Sequence, residues 1–302
     1  MVEVSVVIVC MNRPDILFPC LDSIRLHNTI SYECWVVAYL FSPENLRAIK
    51  EQYPWVKIVE SSELRGFSEN NNLALKMAGG RYCFVVNDDT IQRMPVIDHL
   101  VEDMRRLPDN AAAVSPRVEL ADGSLQTCGR GPWSPWRYAR HYLHLVDETR
   151  ISRWNKEKGL FQTYTINGAC FLIKTEVFKK VGWLDERYFF TPEDIALGHA
   201  LNDAGYTVWA DADVSITHLA GSSVSDHEQA IKPARVRGNM LFYGEPFFLK
   251  CFIWIYEAVR VGKYYFLPHS PRNLVMQNTA RNVMQTVFSH KTPKEIFQRF
   301  LP

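Results

Sequence analysis

Tyr82-Cys83-Phe84-Val85-Val86-Asn87-Asp88-Asp89-Thr90 is an apolar, partly β-branched run that stops abruptly at an amide and two carboxylates. Such a run is expected to be a buried strand. Its end then puts Asn87, Asp88 and Asp89 at the carboxyl edge of a sheet, where ligands bind in open α/β folds. Adjacent carboxylates repel unless something positive arrives. A hard divalent cation, itself carrying phosphates, is the natural neutraliser. The alternative is an Asx-type turn with a solvated acidic tip.

Upstream, Val4-Ser5-Val6-Val7-Ile8-Val9-Cys10 is a near-continuous β-branched run, expected as a central parallel strand buried on both faces. The turn Met11-Asn12-Arg13-Pro14-Asp15 follows, and Leu17, Leu21 and Ile24 keep helical spacing beyond it. Glu33 to Leu40 and Val56 to Val59 are expected strands, with a helix opening at Ser42-Pro43-Glu44 between them. Arg65 to Asn72 reads as a polar turn, Leu73 to Ala78 as a helix, and Gly79-Gly80 as its C-cap. Strands alternating with helices at this spacing imply an α/β fold with a mostly parallel sheet and right-handed crossovers.

Downstream, a helix is expected from after Pro95 to about Arg106, and a strand from Ala111 to Pro116. Leu120 to about Gly159 is rich in Trp, Pro, Arg and His and lacks periodicity, which marks a lid or binding loop or a poorly ordered stretch. Thr165 to Lys174 is an expected strand whose Gly168 and Ala169 either admit a ligand close to the backbone or mark a bulge. Thr175 to Val181 is a helix. Ile195 to Ala204 is another, with Thr191 as N-cap, Pro192 at N1, and Glu193 and Asp194 complementing its dipole. Tyr206 to Ala210 and Asp213 to Thr217 are strands, the second leading into His218 and the polar loop Gly221-Ser222-Ser223.

The 302 residues suit one large α/β domain with an appendage, divided here as 1–230 and 231–302. From residue 231 onward there are eleven Lys or Arg against three Glu, a net +8, which leaves −7 on the rest. A basic, aromatic-rich tail on an acidic body suggests an anionic surface as partner. Seven scattered cysteines without a C-x-x-C pair indicate neither a zinc site nor a disulfide framework, which fits a reducing cytoplasm. Met1 leads directly into a strand pattern, so no signal peptide is expected, and no run of about 18 uncharged apolar residues suggests a membrane span.

With acids at a strand end (Asp88, Asp89), acids at a helix start (Glu193, Asp194) and His218 after a late strand, residues 3 to 225 resemble a family 2 glycosyltransferase of the GT-A fold. The matching stretches are Val4 to Arg13, Gly66-Phe67-Ser68-Glu69-Asn70-Asn71-Asn72, Asn87-Asp88-Asp89-Thr90, Asn167 to Ile173, Gly182-Trp183-Leu184-Asp185-Glu186 with Phe189 to Asp194, and His218 with Gly221 and Ser222. The nearest likeness is to the rhamnosyltransferase-like branch that builds bacterial surface polysaccharides. The resemblance implies inverting transfer of a sugar from a dTDP- or UDP-linked donor to a hydroxyl of a glycan or lipid-linked acceptor. It makes Asp194 the general base, with Glu193 orienting the acceptor, and assigns Mg²⁺ or Mn²⁺ to Asp89 and His218; imidazole suits Mn²⁺ better. Cys10, Asn12, Arg13, Tyr39, Arg65, Gly66, Asn71, Asn87 and Asp88 are implied on the donor side. Gly168, Ala169 and Trp183 are implied toward the acceptor, as is the 120–159 loop.

The family commonly ends its second strand in Asp-Asn, and Ala38 and Tyr39 stand there instead, so a carboxylate for the base is gone and Tyr39 is left to stack. Phe247 to Arg260 is helical and apolar nearly all round. It is expected either to contact the inner face of the cytoplasmic membrane as a peripheral helix or to pack on the catalytic domain or a second subunit. Arg235, Arg237 and Asn239 are expected near the donor diphosphate or an acceptor phosphate. A nucleotidyltransferase would show a Gly-rich loop after the first strand, and Cys10 to Pro14 has none. A non-catalytic scaffold would be expected to lose the acids, and all are kept. No nucleic-acid module stands in the basic tail.

Overall fold

The protein is described here by a computed structural model over residues 2–126, 129–146, 156–219, 227–268 and 270–301. Its first half is a parallel sheet: β1 (Val4–Met11) lies between β2 (Tyr32–Tyr39) and β4 (Tyr82–Val86), and β3 (Val56–Ser61) adds to β2. The β-branched run of β1 is buried on both sides. Val4, Val6 and Ile8 pack with Leu17, Leu21 and Ile24 of α1 (Pro14–His27). Val7 faces Ala74 and Leu75 of α3 (Phe67–Leu75). α2 (Pro43–Gln52) starts as expected, with Ser42 Oγ accepting from Asn45 N–H.

Beyond β4 the sheet turns antiparallel. β8 (Cys170–Lys174) pairs antiparallel with both β4 and β6 (Ala111–Leu120). β9 (Thr207–His218) lies parallel to β6, and the short β5 (Thr90–Gln92) and β7 (Leu160–Thr163) pair antiparallel with β9. The order is β3-β2-β1-β4-β8-β6-β9-β5, with α4 (Val96–Arg106) packed beneath.

Several expectations are corrected. The polar Arg65–Asn72 stretch is mostly helix: α3 begins at Phe67, because buried Asn70, Asn71 and Asn72 satisfy their amides within the fold. The strand expected over 165–174 begins only at Cys170, so Gly168 and Ala169 lie in the turn before it. The two strands expected over 206–217 are one strand, β9, with a register shift opposite Pro116 that lets β6 run on to Leu120. The 120–159 loop contains a helix, α5 (Pro135–Tyr142), with Ser134 as its cap; residues 127–128 and 147–155 lie outside the described residues. After α6 (Thr175–Lys180), α7 (Glu193–Asp203) has Pro192 rather than Thr191 as its N-cap and no side-chain cap.

Four helices follow: α8 (Glu228–Phe242), α9 (Phe247–Phe266), α10 (Pro271–Val287) and α11 (Pro293–Phe300). The expected division at residue 230 falls inside α8. Gly238 of α8 lies against Thr191 so closely that a methyl group would overlap its carbonyl. Ile296 and Phe297 of α11 pack with Phe189, and α8, α9 and α10 share an apolar cluster with Trp133, Tyr138 and Ile195.

Candidate active site

The opening stretch does end β4 at the carboxyl edge of the sheet, and strand pairing decides what meets it. β5 follows Asp89 directly and pairs with β9 in the register Thr90–His218. That register brings His218 Nε2 to 3.0 Å from Asp89 Oδ1, with both side chains largely buried. His218 Nδ1 lies 3.0 Å from Gln126 Oε1, and Asn87 Nδ2 lies 3.5 Å from Nε2. The 3.0 Å between Nε2 and Asp89 Oδ1 is a hydrogen-bond or ion-pair distance, and it is also about the separation of adjacent oxygen and nitrogen ligands at about 2.1 Å from a six-coordinate ion. The imidazole–carboxylate pair thus fits Mg²⁺ or Mn²⁺, with the nitrogen favouring Mn²⁺. No cluster of three or more His, Cys, Asp or Glu able to hold a metal occurs among the described residues. Gly221 and Ser222, expected beside His218, lie outside them.

Asp88 points to the β1 end. Burial raises its carboxyl to about 6, with the neighbouring Asp89 charge adding and a hydrogen bond from the Cys10 thiol opposing. Cys10 Sγ also lies 3.5 Å from Arg13 O. Asn12 sits at φ 52, a left-handed position that Asn tolerates, and its Oδ1 accepts from Ser42 N–H and Asn45 Nδ2, both at 2.9 Å. Arg13 forms a fork with Asp15 at 2.7 and 2.8 Å. Tyr39 Oη accepts from Arg65 N–H at 3.3 Å, and Arg65 extends to Ser61 Oγ and Glu63. A cavity of about 260 Å³ opens at the ends of β2 and β3, lined by Ala38, Leu40, Phe41, Leu46, Glu60, Ser61 and Ser62. Tyr39 is not in its wall; its ring is buried and its hydroxyl holds the Arg65 loop.

Asp194 stands at the start of α7. Its Oδ1 accepts from Ile195 N–H at 2.7 Å, and Arg130 lies 3.7 Å from its Oδ2. Glu193 is buried, with Oε2 lacking a hydrogen-bond partner. Burial, then the Asp194 charge, pushes its carboxyl well above the usual range and so favours the protonated form. The Arg235 guanidinium acts on Glu193 in the opposite sense and also keeps an unpartnered buried Nε.

The turn before β8 joins the two halves. Asn87 N–H donates to Ala169 O at 2.9 Å. A methyl group on Gly168 would lie 3.2 Å from Asp194 Cβ and 3.5 Å from Glu193 Oε1. Gly66 makes a second close approach, where a methyl would overlap the Phe189 carbonyl that accepts from Phe67 N–H. Asn71 Nδ2 caps Phe67 O inside α3. Trp183, at φ 68, lines a different cavity of about 440 Å³ with Lys76, Glu186, Ala196 and Ala200. At about 100° per residue, Ala196 and Ala200 are on the side of α7 turned away from Asp194. Arg237 bonds to Lys291 O (2.7 Å) and Glu245 (2.8 Å) and keeps a buried Nη1 without a hydrogen-bond partner, and Asn239 Nδ2 donates to Arg235 O.

Gln126 and Arg130 were not singled out in the sequence: they come from the aperiodic loop, which offers no local signal.

Residues 5–182 match the family model described as Glycosyl transferase family 2. Among curated relatives, N-acetylglucosaminyl-diphospho-decaprenol L-rhamnosyltransferase of Mycobacterium tuberculosis is 26% identical over 209 residues, 60% of this chain and 64% of that protein. O-antigen biosynthesis protein RfbC of Myxococcus xanthus is 25% identical over 226 residues, 73% of this chain and 18% of its own length. The chain thus spans less than two thirds of the length of these relatives. Two solved structures share the fold. GalNAc-T7 with UDP, GalNAc and Mn²⁺ has a TM-score of 0.58 at 16% identity, over 74% of this chain and 44% of that one. The mannosyltransferase PcManGT from Pyrobaculum calidifontis with GDP-Man and Mn²⁺ has a TM-score of 0.54 at 14% identity, over 98% and 78%.

Proposed function

The chain belongs to glycosyl transferase family 2, and on that premise we propose that it transfers a sugar, with inversion, from a nucleotide-diphosphate donor to a hydroxyl of a glycan or lipid-linked acceptor. The observation that supports this best is the juxtaposition across the 166–169 turn. Its Ala169 end is bonded to the Asn87–Asp89 strand end, and its Gly168 end is pressed on Asp194.

In this mechanism Asp194 removes the proton from the acceptor hydroxyl, and the freed oxygen attacks the anomeric carbon from the face opposite the leaving group. The bond from that carbon to the diphosphate oxygen breaks, and its electron pair leaves with the nucleoside diphosphate. Arg130 and Ile195 N–H hold the Asp194 carboxylate in orientation. Protonated Glu193 donates a hydrogen bond to the acceptor. Asp89 and His218 would hold Mg²⁺ or Mn²⁺, which when bound supplies positive charge to the departing diphosphate. The nucleobase is assigned to the cavity at Ala38, Leu40 and Ser61, where the carboxylate in the wall is Glu60 of β3 rather than a residue at the end of β2. A rhamnosyl donor and a lipid-diphosphate acceptor accord with the mycobacterial relative's printed name; a dTDP- or UDP-linked rhamnosyl or hexosyl donor, used at the inner face of the cytoplasmic membrane, completes the proposal. Surface polysaccharide synthesis is the setting.

Thermal-shift titration with UDP, dTDP, GDP and CDP, each with and without Mn²⁺, tests the proposal. At 100 times its Kd, one diphosphate should add about 2.7 kcal/mol, a rise of about 5 °C, in a metal-dependent way. Equal melting temperatures under all conditions would reject it.

A further inference from the structure

α9 wears its polarity inside out. Phe247, Phe248, Trp254, Ile255, Val259 and Phe266 are all exposed. At 100° per residue they occupy an arc of about 140° along a helix about 30 Å long. The intervening positions in that arc, Cys251, Ala258, Gly262 and Tyr265, are uncharged as well. Three of its four charged groups, Lys250, Glu257 and Arg260, point inward. Glu257 is 0% exposed and is held by Lys232 (3.0 Å), Arg260 (2.8 Å) and Tyr142 Oη, and Lys250 turns back to Glu245 at 2.6 Å. A surface helix ordinarily does the reverse. The apolar face also continues onto its neighbours: exposed Trp136 of α5 lies beside Phe248, and exposed Phe288 lies beside Phe247.

The charges around this face have one sign. α5, α9 and α10 together carry seven Lys or Arg and one carboxylate, the buried Glu257. Arg140, Lys263, Arg272 and Arg281 are exposed. Aromatic rings backed by cations suit the headgroup region of an anionic bilayer. They do not suit a second copy, since an isologous contact would set this basic surface against itself. None of the described helices is long and apolar enough to cross a membrane. From these observations we infer that the outward face of α9, with Trp136 of α5 and the basic residues of α10, is a docking surface for an anionic lipid bilayer, with α9 lying flat in its interface. The inner face of α9 shares an apolar cluster with Ile195, the residue after Asp194. Docking there brings a lipid-carried acceptor to the catalytic end of α7. Only this last consequence rests on the transferase proposal.

The test is co-sedimentation of the full chain with vesicles of phosphatidylglycerol and phosphatidylcholine in equal parts, or of phosphatidylcholine alone, with light scattering of the protein by itself. The wild type should partition at least about tenfold more onto the anionic vesicles, and high salt should weaken this. The double variant Ile255→Asp/Val259→Asp should lose about tenfold or more. Arg272→Glu should lose about fivefold. These side chains are exposed, so the variants should keep the wild-type melting temperature and its nucleotide-induced shift. Wild type that ignores anionic vesicles would overturn the inference. So would a solution dimer that Ile255→Asp/Val259→Asp converts to monomer, which would make the face a subunit interface. Neither result bears on nucleotide binding, so a failed transfer mechanism is read separately.

Discussion

Replacing Gly168 by Ala adds one methyl group at the point where the donor-side turn meets the acidic helix. The backbone at Gly168 is not left-handed, so alanine fits the conformation and the effect is steric. The new carbon would lie 3.2 Å from Asp194 Cβ, 3.6 Å from Asp194 Cγ and 3.5 Å from Glu193 Oε1. Carbon atoms pack best at about 3.5–4.0 Å, so Asp194 or the turn must yield by at least about 0.3 Å. Asp194 is tethered by Ile195 N–H at 2.7 Å, so the carboxylate moves with its helix. A 1 Å misplacement of a catalytic group costs about a hundredfold, and a few tenths of an ångström scales to about fourfold to tenfold in kcat. Overpacking costs about 1–3 kcal/mol, a fall of a few degrees in Tm. The assay is steady-state transfer alongside thermal-shift binding of the donor nucleotide, which should be unchanged because Asp89 and His218 are not touched. Unaltered kcat with unaltered Tm would refute the contact itself. Loss of donor affinity at constant kcat would refute the role assigned to Asp194.

Two further predictions concern pH. Against the penalty of burial, hydrogen bonds from Lys57 (2.6 Å), Ser5 (2.6 Å) and Gly79 N–H (2.8 Å) hold the Glu33 carboxyl down at about 2. A depressed carboxyl stabilises above its unfolded value of 4.5 and loses that contribution as pH falls toward 2. Glu33→Gln should therefore lower Tm at pH 7 and bring the two proteins together near pH 2; a constant difference across the range would count against it. Asp103 has the opposite sign. Burial, then the neighbouring Asp211 carboxylate, raises it from 3.8 to about 7, so it destabilises increasingly as pH rises through that window. Asp103→Asn should raise Tm at pH 8 and give no gain below about pH 4, by calorimetry; a gain at low pH would contradict the cause assigned.

The parallel half of the fold was legible chiefly because β1 and β4 are buried on both faces and therefore read as nearly unbroken apolar runs. Asn87 to Asp89 and Glu193–Asp194 were legible because each ends or begins an element. The site's assembly was not. Asp89 meets His218 through the three-residue β5, too short to show periodicity, and across 128 intervening positions. α3 was partly hidden because consecutive asparagines read as a turn until their buried partners are known. Asn72, for example, bonds to Leu184 O and Glu186. β6 was cut short at Pro116, where a register shift accommodates the missing N–H. The apolar character of α9 was plain in its sequence, but which side faces out depends on Glu257, whose burial is decided by Lys232, Arg260 and Tyr142 from three different helices.

The central claim is that Asp194 is the base of a transfer reaction whose donor is held elsewhere. Asp194→Asn keeps the shape and the Ile195 N–H contact but removes the proton acceptor. Measured side by side, donor-nucleotide thermal shift should be retained while sugar transfer falls by about 10²–10⁴-fold. Near-normal transfer by Asp194→Asn would contradict the account, as would loss of donor binding in proportion to activity.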